Sequence, residues 1–180
     1  GEGAFYGPKI DLHVKDAIGR RWQLSTIQVD FAQPDNFDLQ FVDSNNKRVK
    51  PVMIHRALLG SIERFTGILI ENYAGEFPGW LSPVQVKVLT IGDVSNYLNK
   101  ITKSLKGFRY EVDDRNLRLG EKLHDASKDK IPITLIVGEK DELSNTLAIN
   151  IRSQDNQQNV KYEDAIKQIK ANLKTPIFKI

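Results

Sequence analysis

The chain has 180 residues, 40% of them hydrophobic and 27% charged, with a formal net charge of +3 at pH 7. That is enough apolar material for one large core or two small ones, and the pattern below divides it into two. The absence of cysteine excludes a disulfide framework and any thiolate metal ligand from within the chain; with no apolar run long enough to cross a bilayer and no basic-then-apolar signal pattern, the sequence reads as soluble and intracellular.

Ile10-Asp-Leu-His-Val-Lys alternates apolar and polar residues, Ala17-Ile-Gly-Arg supplies a turn, and Trp22 to Phe31 alternates again, which predicts a hairpin. Asn36 to Val42 and Pro51 to His55 read as further extended segments, with the polar turn Asp43-Ser-Asn-Asn-Lys between them. From Gly60 onward Ile62, Phe65, Ile68, Leu69 and Tyr73 recur at helical spacing, and Gly75 follows the expected C-terminus. Glu76-Phe-Pro-Gly-Trp-Leu-Ser-Pro83 breaks all periodicity, so the expected domains are 1–82 and 83–180.

The two parts differ in charge. Residues 1–82 carry 9 Lys+Arg against 10 Asp+Glu, a net −1, and residues 83–180 carry 17 against 13, a net +4. The positive excess suits a nucleic-acid partner, as it also suits an ordinary solvated surface. In the second part strands are predicted over 84–91, 108–112, 131–137 and 146–151, and helices over 94–105, 117–128 and 162–173. Such alternation predicts a layered α/β domain with a mixed, mainly parallel sheet, whereas the first part reads as α+β. Ser153 to Asn159 is a short polar run and is left without an element.

Several residues carry chemistry. A helix N-terminus presents unpaired N–H groups, and Arg64, one turn into the helix near Gly60, adds a planar fork suited to phosphate. Taken alone, such an arginine more often pairs with a carboxylate such as Glu63. His55 is metal-competent, but a lone histidine in an apolar segment is more often a hydrogen-bonded core residue, and His13 and His124 lie too far off to supply a second ligand by spacing. Gly1-Glu-Gly-Ala-Phe-Tyr-Gly-Pro-Lys offers Tyr6 and Lys9 on a glycine-rich segment where a backbone can approach a ligand, or simply a turn into a strand. Gln23 and Gln28 fall on opposite faces of a regular strand, and a bulge near Ser25 or Thr26 would bring them to one face. Asp113-Asp-Arg-Asn-Leu-Arg-Leu-Gly-Glu-Lys follows a strand and opens a helix, where Asn116, Arg118 and Lys122 are placed for phosphates and base edges, or form a charged surface helix.

Gly1-Glu-Gly-Ala-Phe-Tyr-Gly-Pro-Lys-Ile, Trp22-Gln, Thr26-Ile-Gln-Val-Asp-Phe, Pro51-Val-Met-Ile-His-Arg, Gly60-Ser-Ile-Glu-Arg-Phe, Trp80-Leu-Ser-Pro-Val-Gln and Asp114-Arg-Asn together, in this order, resemble the threonyl-tRNA synthetases. The resemblance is specific to about Pro132 and then thins to a general anticodon-binding pattern. It implies the last part of a class II catalytic domain, built on an antiparallel sheet and including the third class motif, followed by a mixed-sheet α/β anticodon-binding domain.

By the same resemblance, His55 matches one of three protein ligands to a zinc ion that chelates the amino group and hydroxyl of threonine. Arg64 matches the arginine that stabilises the ATP triphosphate, with magnesium accompanying ATP. Tyr6, Lys9, Gln23 and Gln28 match positions lining the aminoacyl-adenylate pocket. Asn116 matches an anticodon contact, Asp141 stands where the family has a glutamate that reads the anticodon, and Arg118 belongs to the same segment. An expected base-contacting arginine is replaced by Asn150, and Arg152, two residues on, is the candidate substitute. The remaining zinc ligands, the ATP-binding arginine of the second motif and the dimer motif are expected upstream of Gly1. The implied partners are a threonine tRNA, ATP, threonine and a second copy in a cytoplasmic homodimer. The other reading is a non-catalytic synthetase-like chain with a nucleic-acid-binding or regulatory role.

Overall fold

The computed structural model describes residues 3–176 and divides the chain into two compact units, Gly1–Tyr73 and Ala74–Ile180. In the first unit β1 (Lys9–Lys15), β2 (Arg21–Asp30) and β5 (Met53–Ala57) form an antiparallel sheet in the order β1-β2-β5. Between β2 and β5 lie the short helix α1 (Ala32–Asn36) and a small ladder of β3 (Phe41–Val42) with β4 (Arg48–Val49). Helix α2 (Ile62–Tyr73) closes the unit.

The hairpin and the helix after β5 stand where the alternation and the 3.6-residue period place them. The stretch from Asn36 is the exception: only Phe41–Val42 is extended, and the chain leaves β2 through α1. The cause is Asp30, whose Oδ1 accepts from the N–H groups of Ala32 and Gln33, both at 2.9 Å, and so starts a helical turn. Pro34 sits within that first turn, where its missing N–H costs nothing.

One buried carboxylate organises the β1–β2 turn. Asp16 Oδ1 accepts from the N–H groups of Ile18 and Arg20, and its Oδ2 accepts from Arg20 Nε and from Trp22 Nε1 at 2.9 Å. Burial pushes the Asp16 carboxyl up, but the Trp22 and Arg20 donors together outweigh it and hold the pKa at about 2. Apolar burial in this unit is slight. Among its described residues Leu24 and Pro34 are the buried apolar side chains, while Ile10, Leu12, Ile27 and Ile54 lie exposed along the sheet.

The second unit contains β6 (Val86–Ile91), α3 (Ser95–Ser104), β7 (Tyr110–Asp113), α4 (Leu119–Lys128), β8 (Ile133–Gly138), α5 (Glu139–Ser144), β9 (Thr146–Ile151), β10 (Gln157–Lys161) and α6 (Tyr162–Asn172). The sheet order is β10-β9-β8-β6-β7. β6 pairs in parallel with both β7 and β8, and β9 runs antiparallel to β8 and β10, so β9 alone opposes the common direction. Val86, Val88, Leu135 and Ile149 pack with Ile101, Leu105 and Ile169 into a closed core. Lys87 and Leu89, alternate in the same strand, turn away from that core, and the Lys87 ammonium reaches Asp129 just past α4 at 3.2 Å.

Two elements have no counterpart in the hydropathy pattern. α5 is a single short helix after β8, and β10 is built from the polar run, which is tolerable because it is a sheet edge. Residues 74–83 are fastened to this unit by side chains. Arg109 donates to the carbonyls of Trp80, Ser82 and Pro83, Gln85 Nε2 to Gly79 O at 2.9 Å, and Arg152 to Glu76 O, Phe77 O and Lys130 O.

Two outcomes are expected. Leu135, fully buried, leaves a cavity when truncated, so Leu135→Ala lowers the unfolding free energy of the second unit by about 2–5 kcal/mol in a denaturant titration. The Asp16 carboxyl lies below its ordinary value of 3.8, so its contribution to the hairpin is complete above that pH and is lost as pH falls toward about 2. Trp22 fluorescence in a Trp80→Phe background follows this loss, and Asp16→Asn removes that component of the acid transition.

Candidate functional site

In a regular strand Gln23 and Gln28 point to opposite faces. The pairing of β1 with β2 is irregular at one point: Leu12 faces Ser25 and His13 faces Gln23, so Leu24 is an extra residue on β2. This bulge lies next to the expected position and turns Gln23 to the face that carries Thr26 and Gln28. Asp11 Oδ1 accepts from Gln23 Nε2 at 2.7 Å and from Thr26 Oγ1 at 2.6 Å, while Asp11 Oδ2 meets Lys9 Nζ at 2.9 Å. The Asp11 carboxyl is held below its ordinary value, first by Thr26 and then by Lys9.

The same face continues onto β5, where His55 stands opposite Gln28 in the ladder. His55 Nε2 lies 2.9 Å from Asp30 Oδ2, and Asp30 is itself buried and held below its ordinary pKa, first by the Gln33 N–H and further by His55. Tyr6, Gln28, Asp30, Gln33 and His55 share the wall of a cavity of about 400 Å³. Tyr6 reaches it because residues 6–8 run alongside the end of β2: Val29 N donates to Pro8 O at 3.0 Å and Phe31 N to Tyr6 O at 2.9 Å. A Cβ at Gly7 would sit 2.3 Å from Val29 O, so that approach requires glycine.

Arg64 does not pair with Glu63, whose carboxylate accepts instead from Ser61 Oγ. Its guanidinium carbon stands 5.4 Å from the centre of the Trp22 ring, a cation–π contact, with Nη1 at 3.5 Å from Gln23 O. Asp16 fixes the Trp22 indole from its N–H, so the buried carboxylate acts through Trp22 on the placement of Arg64. Gly60, at φ +64°, makes the turn into α2, and a Cβ there would come within 2.9 Å of Leu24 O. Tyr6, Lys9, Gln23, Gln28, His55 and Arg64 thus all lie on the β1-β2-β5 sheet or its flanking segments. Asp11, Asp16 and Asp30 were not singled out from the sequence, because a carboxylate in an alternating strand carries no signal of the donors that fold around it. Among the described residues no three His, Cys, Asp or Glu side chains come together as a metal site.

In the second unit the C-terminal ends of the parallel strands form one edge. There a cavity of about 480 Å³ is lined by Thr90, Asp93, Ser95, Arg115, Asn116 and Lys122 among others. Arg115 is held down: its Nε and Nη2 donate to Asp113 at 2.9 and 2.6 Å and Nη2 to Asp125 at 2.7 Å. The Asp113 carboxyl is accordingly pulled to about 2 by Arg115. Asn116, next along the loop, is exposed. Arg118 is exposed at the start of α4 and does not line the cavity. Asp141 lies in the first turn of α5, just after β8, where its Oδ2 accepts from Gly138 N at 2.9 Å. Arg152 is at the opposite end of the sheet, beside Asn150 in a smaller cavity, with its guanidinium committed to backbone carbonyls.

Comparison with known proteins agrees in both units. The profile of the tRNA synthetase class II core domain (G, H, P, S and T) matches residues 1–73, and that of the anticodon binding domain matches residues 85–172. A threonine–tRNA ligase of Clostridium tetani is 52% identical over 157 residues, 86% of this chain and 25% of the relative. One of Clostridium botulinum is 47% identical over 177 residues, 97% of this chain and 28% of the relative. The chain therefore spans about a quarter of the length of these curated relatives. The crystal structure of the RNA binding domain of threonyl-tRNA synthetase from Cryptosporidium parvum superposes with a TM-score of 0.81 at 32% identity, covering 96% of this chain and 44% of that one. With the end of a class II synthetase core joined to an anticodon-binding domain, the chain belongs to the threonyl-tRNA synthetase family.

Proposed function

We propose that this chain is the C-terminal part of a threonine–tRNA ligase, which activates threonine with ATP and transfers it to its tRNA. In this reading residues 1–82 supply the last part of the catalytic domain and residues 83–180 the anticodon-binding domain, with residues 74–82 packed in the second compact unit instead of the first. The observation that carries it is the gathering of Tyr6, Gln28 and His55 around one cavity, on a sheet face shared with Lys9 and Gln23.

The physical logic is that of a polar pocket. Valine is nearly isosteric with threonine but lacks the oxygen, and an apolar site separates such isosteres poorly, whereas one that demands the hydroxyl rejects the analogue. Gln23, Gln28 and Tyr6 offer donors and acceptors, and Lys9 offers a cation for the adenylate. Of the zinc donor set that the family resemblance implies, this chain supplies His55, backed by Asp30 in the manner of a carboxylate-oriented ligand. A zinc ion there would supply Lewis-acid recognition of the amino and hydroxyl groups. Arg64, held over Trp22 at the start of α2, directs a guanidinium fork to the ATP triphosphate with its magnesium. Support for a larger core comes from the exposed apolar face of Ile10, Leu12, Ile27 and Ile54 and from the greater length of the relatives. A homodimer in the cytoplasm belongs to the same reading.

At the other end of the chain Asn116, with Arg118 and Asp141 along the same strand-end edge, reads the anticodon. Arg152 holds the connector instead of reaching that edge.

Two measurements test the proposal. The chain alone is expected to show no ATP–pyrophosphate exchange, and turnover would overturn the view that further catalytic residues are required. A threonine tRNA transcript is expected to bind the chain about tenfold more tightly, ~1.4 kcal/mol, than the same transcript with its second and third anticodon bases changed. Asn116→Ala should erase most of that ratio, while equal, salt-driven binding of both transcripts by the unaltered chain would remove anticodon reading from this unit.

A further inference from the structure

Lys122 is among the most completely buried large side chains of the chain, 2% exposed. A lysine in that position normally meets a carboxylate, since burial of an ammonium without compensation is costly. No carboxylate lies within 4.0 Å of this one among the described residues. Its Nζ donates to two backbone carbonyls, Thr90 O at 2.8 Å and Asp113 O at 3.1 Å.

The two carbonyls are not arbitrary. The parallel ladder between β6 and β7 ends at Leu89 opposite Asp113, after which the strands diverge into separate loops. Thr90 lies one residue before the end of β6, from which the loop at 92–94 enters α3, and Asp113 precedes the loop at 114–117 that carries Asn116. Both loops line the same cavity of about 480 Å³. Where the backbone ladder stops, the ammonium of Lys122 continues it from α4, alongside a long contact of Thr90 Oγ1 with Asp113 O at 3.5 Å. An ammonium has three donors and no acceptor, so it can join two carbonyls that could never bond each other.

We propose that Lys122 is a positioning residue for anticodon recognition: it ties the ends of β6 and β7 together and so holds the 114–117 loop in the geometry that presents Asn116 to RNA. The inference rests on the anticodon reading above and extends it to a residue that does not itself contact phosphate. The sequence alone offered Lys122 as a phosphate or base contact; its burial and its carbonyl partners assign it the other task. The distinction is measurable. A lysine that neutralises a phosphate contributes to the salt dependence of binding, whereas a buried tether changes discrimination and leaves that slope alone.

The test uses the 180-residue chain and its Lys122→Met variant, with binding to the threonine tRNA transcript and to the anticodon-changed transcript across a salt series, and hydrogen exchange of the amides in 92–94 and 114–117. The expected result is a fall of about tenfold in the ratio of the two affinities, an unchanged salt slope, and faster exchange confined to those two loops. Uniform loss of affinity for both transcripts with a slope reduced by about 1 would make Lys122 a phosphate contact and overturn the proposal. Unchanged exchange in both loops would overturn it as well. If the unaltered chain does not discriminate between the transcripts, the anticodon reading fails, and the exchange measurement still decides whether Lys122 tethers the loops. Should Lys122→Met not fold, Lys122→Gln, which keeps amide donors on a stem one bond shorter, is read by the same measurements.

Discussion

Side chains on a strand alternate between two faces, and β2 breaks that rule once, at Leu24. The face of the first unit that holds its polar groups depends on this single extra residue. Without it Gln23 would point away from Gln28 and His55, Asp11 would lose one of its donors, and the backbone carbonyl of Gln23 would no longer stand where Arg64 meets it. The bulge sits between the Asp16 turn, which fixes Trp22, and the Asp30 turn, which fixes His55. Each end of β2 is thus anchored by a buried carboxylate, and the irregularity between them rotates the intervening side chains into register with the cavity. Carboxylates do this well because each oxygen takes two donors, so one side chain can set both a backbone turn and a neighbouring ring.

The two units reach their order by different means. The second has a closed apolar core in which β6 and β8, buried on both faces, read as nearly continuous apolar runs. The first has almost no apolar interior among its described residues and is organised by hydrogen bonds to Asp11, Asp16 and Asp30. Polar networks of this kind fix geometry sharply but contribute little net stability, because water offers the same bonds to the unfolded chain. The site in the first unit is therefore well defined in shape and lightly supported in energy, while the edge that carries Asn116 is borne on a rigid sheet.

Much of this was legible in the sequence, for identifiable reasons. The strands Val86–Ile91, Ile133–Gly138 and Thr146–Ile151 and the helices α3, α4 and α6 follow from hydrophobic period, which core packing enforces, and α2 carries the same period without a buried side chain. α5 and β10 do not, because a six-residue helix and a polar edge strand bury too little apolar surface to leave a pattern. α1 was hidden for another reason: a capping aspartate two residues before a helix looks like any strand-end aspartate until its acceptor geometry is known. Among the site residues, the bulge that reorients Gln23 was foreseeable as a requirement, since two glutamines five apart can share a face only through an irregularity. The fates of Lys122 and Arg152 were not, for both are long cations whose charge suggests solvent or phosphate, and only the fold shows that each is surrounded by carbonyls.

The fastening of residues 74–83 has a practical consequence for where the second unit can be cut. Arg109 is a cation of this unit whose acceptors are the connector's own carbonyls, and Arg152 divides its donors between the connector and Lys130 O. A module excised at the sheet's first strand would keep both guanidinium groups and discard every acceptor of Arg109 and the Glu76 and Phe77 carbonyls of Arg152, leaving donors facing the gap. It would also uncover the place where Gly79 lies against Leu173 and Asn172, a contact so close that a methyl group in place of the glycine hydrogen would fall 2.6 Å from Leu173 Cδ2. The connector is therefore best regarded as an outer wall of the α/β unit that happens to lack regular structure, and an excised second unit would have its natural start at Ala74.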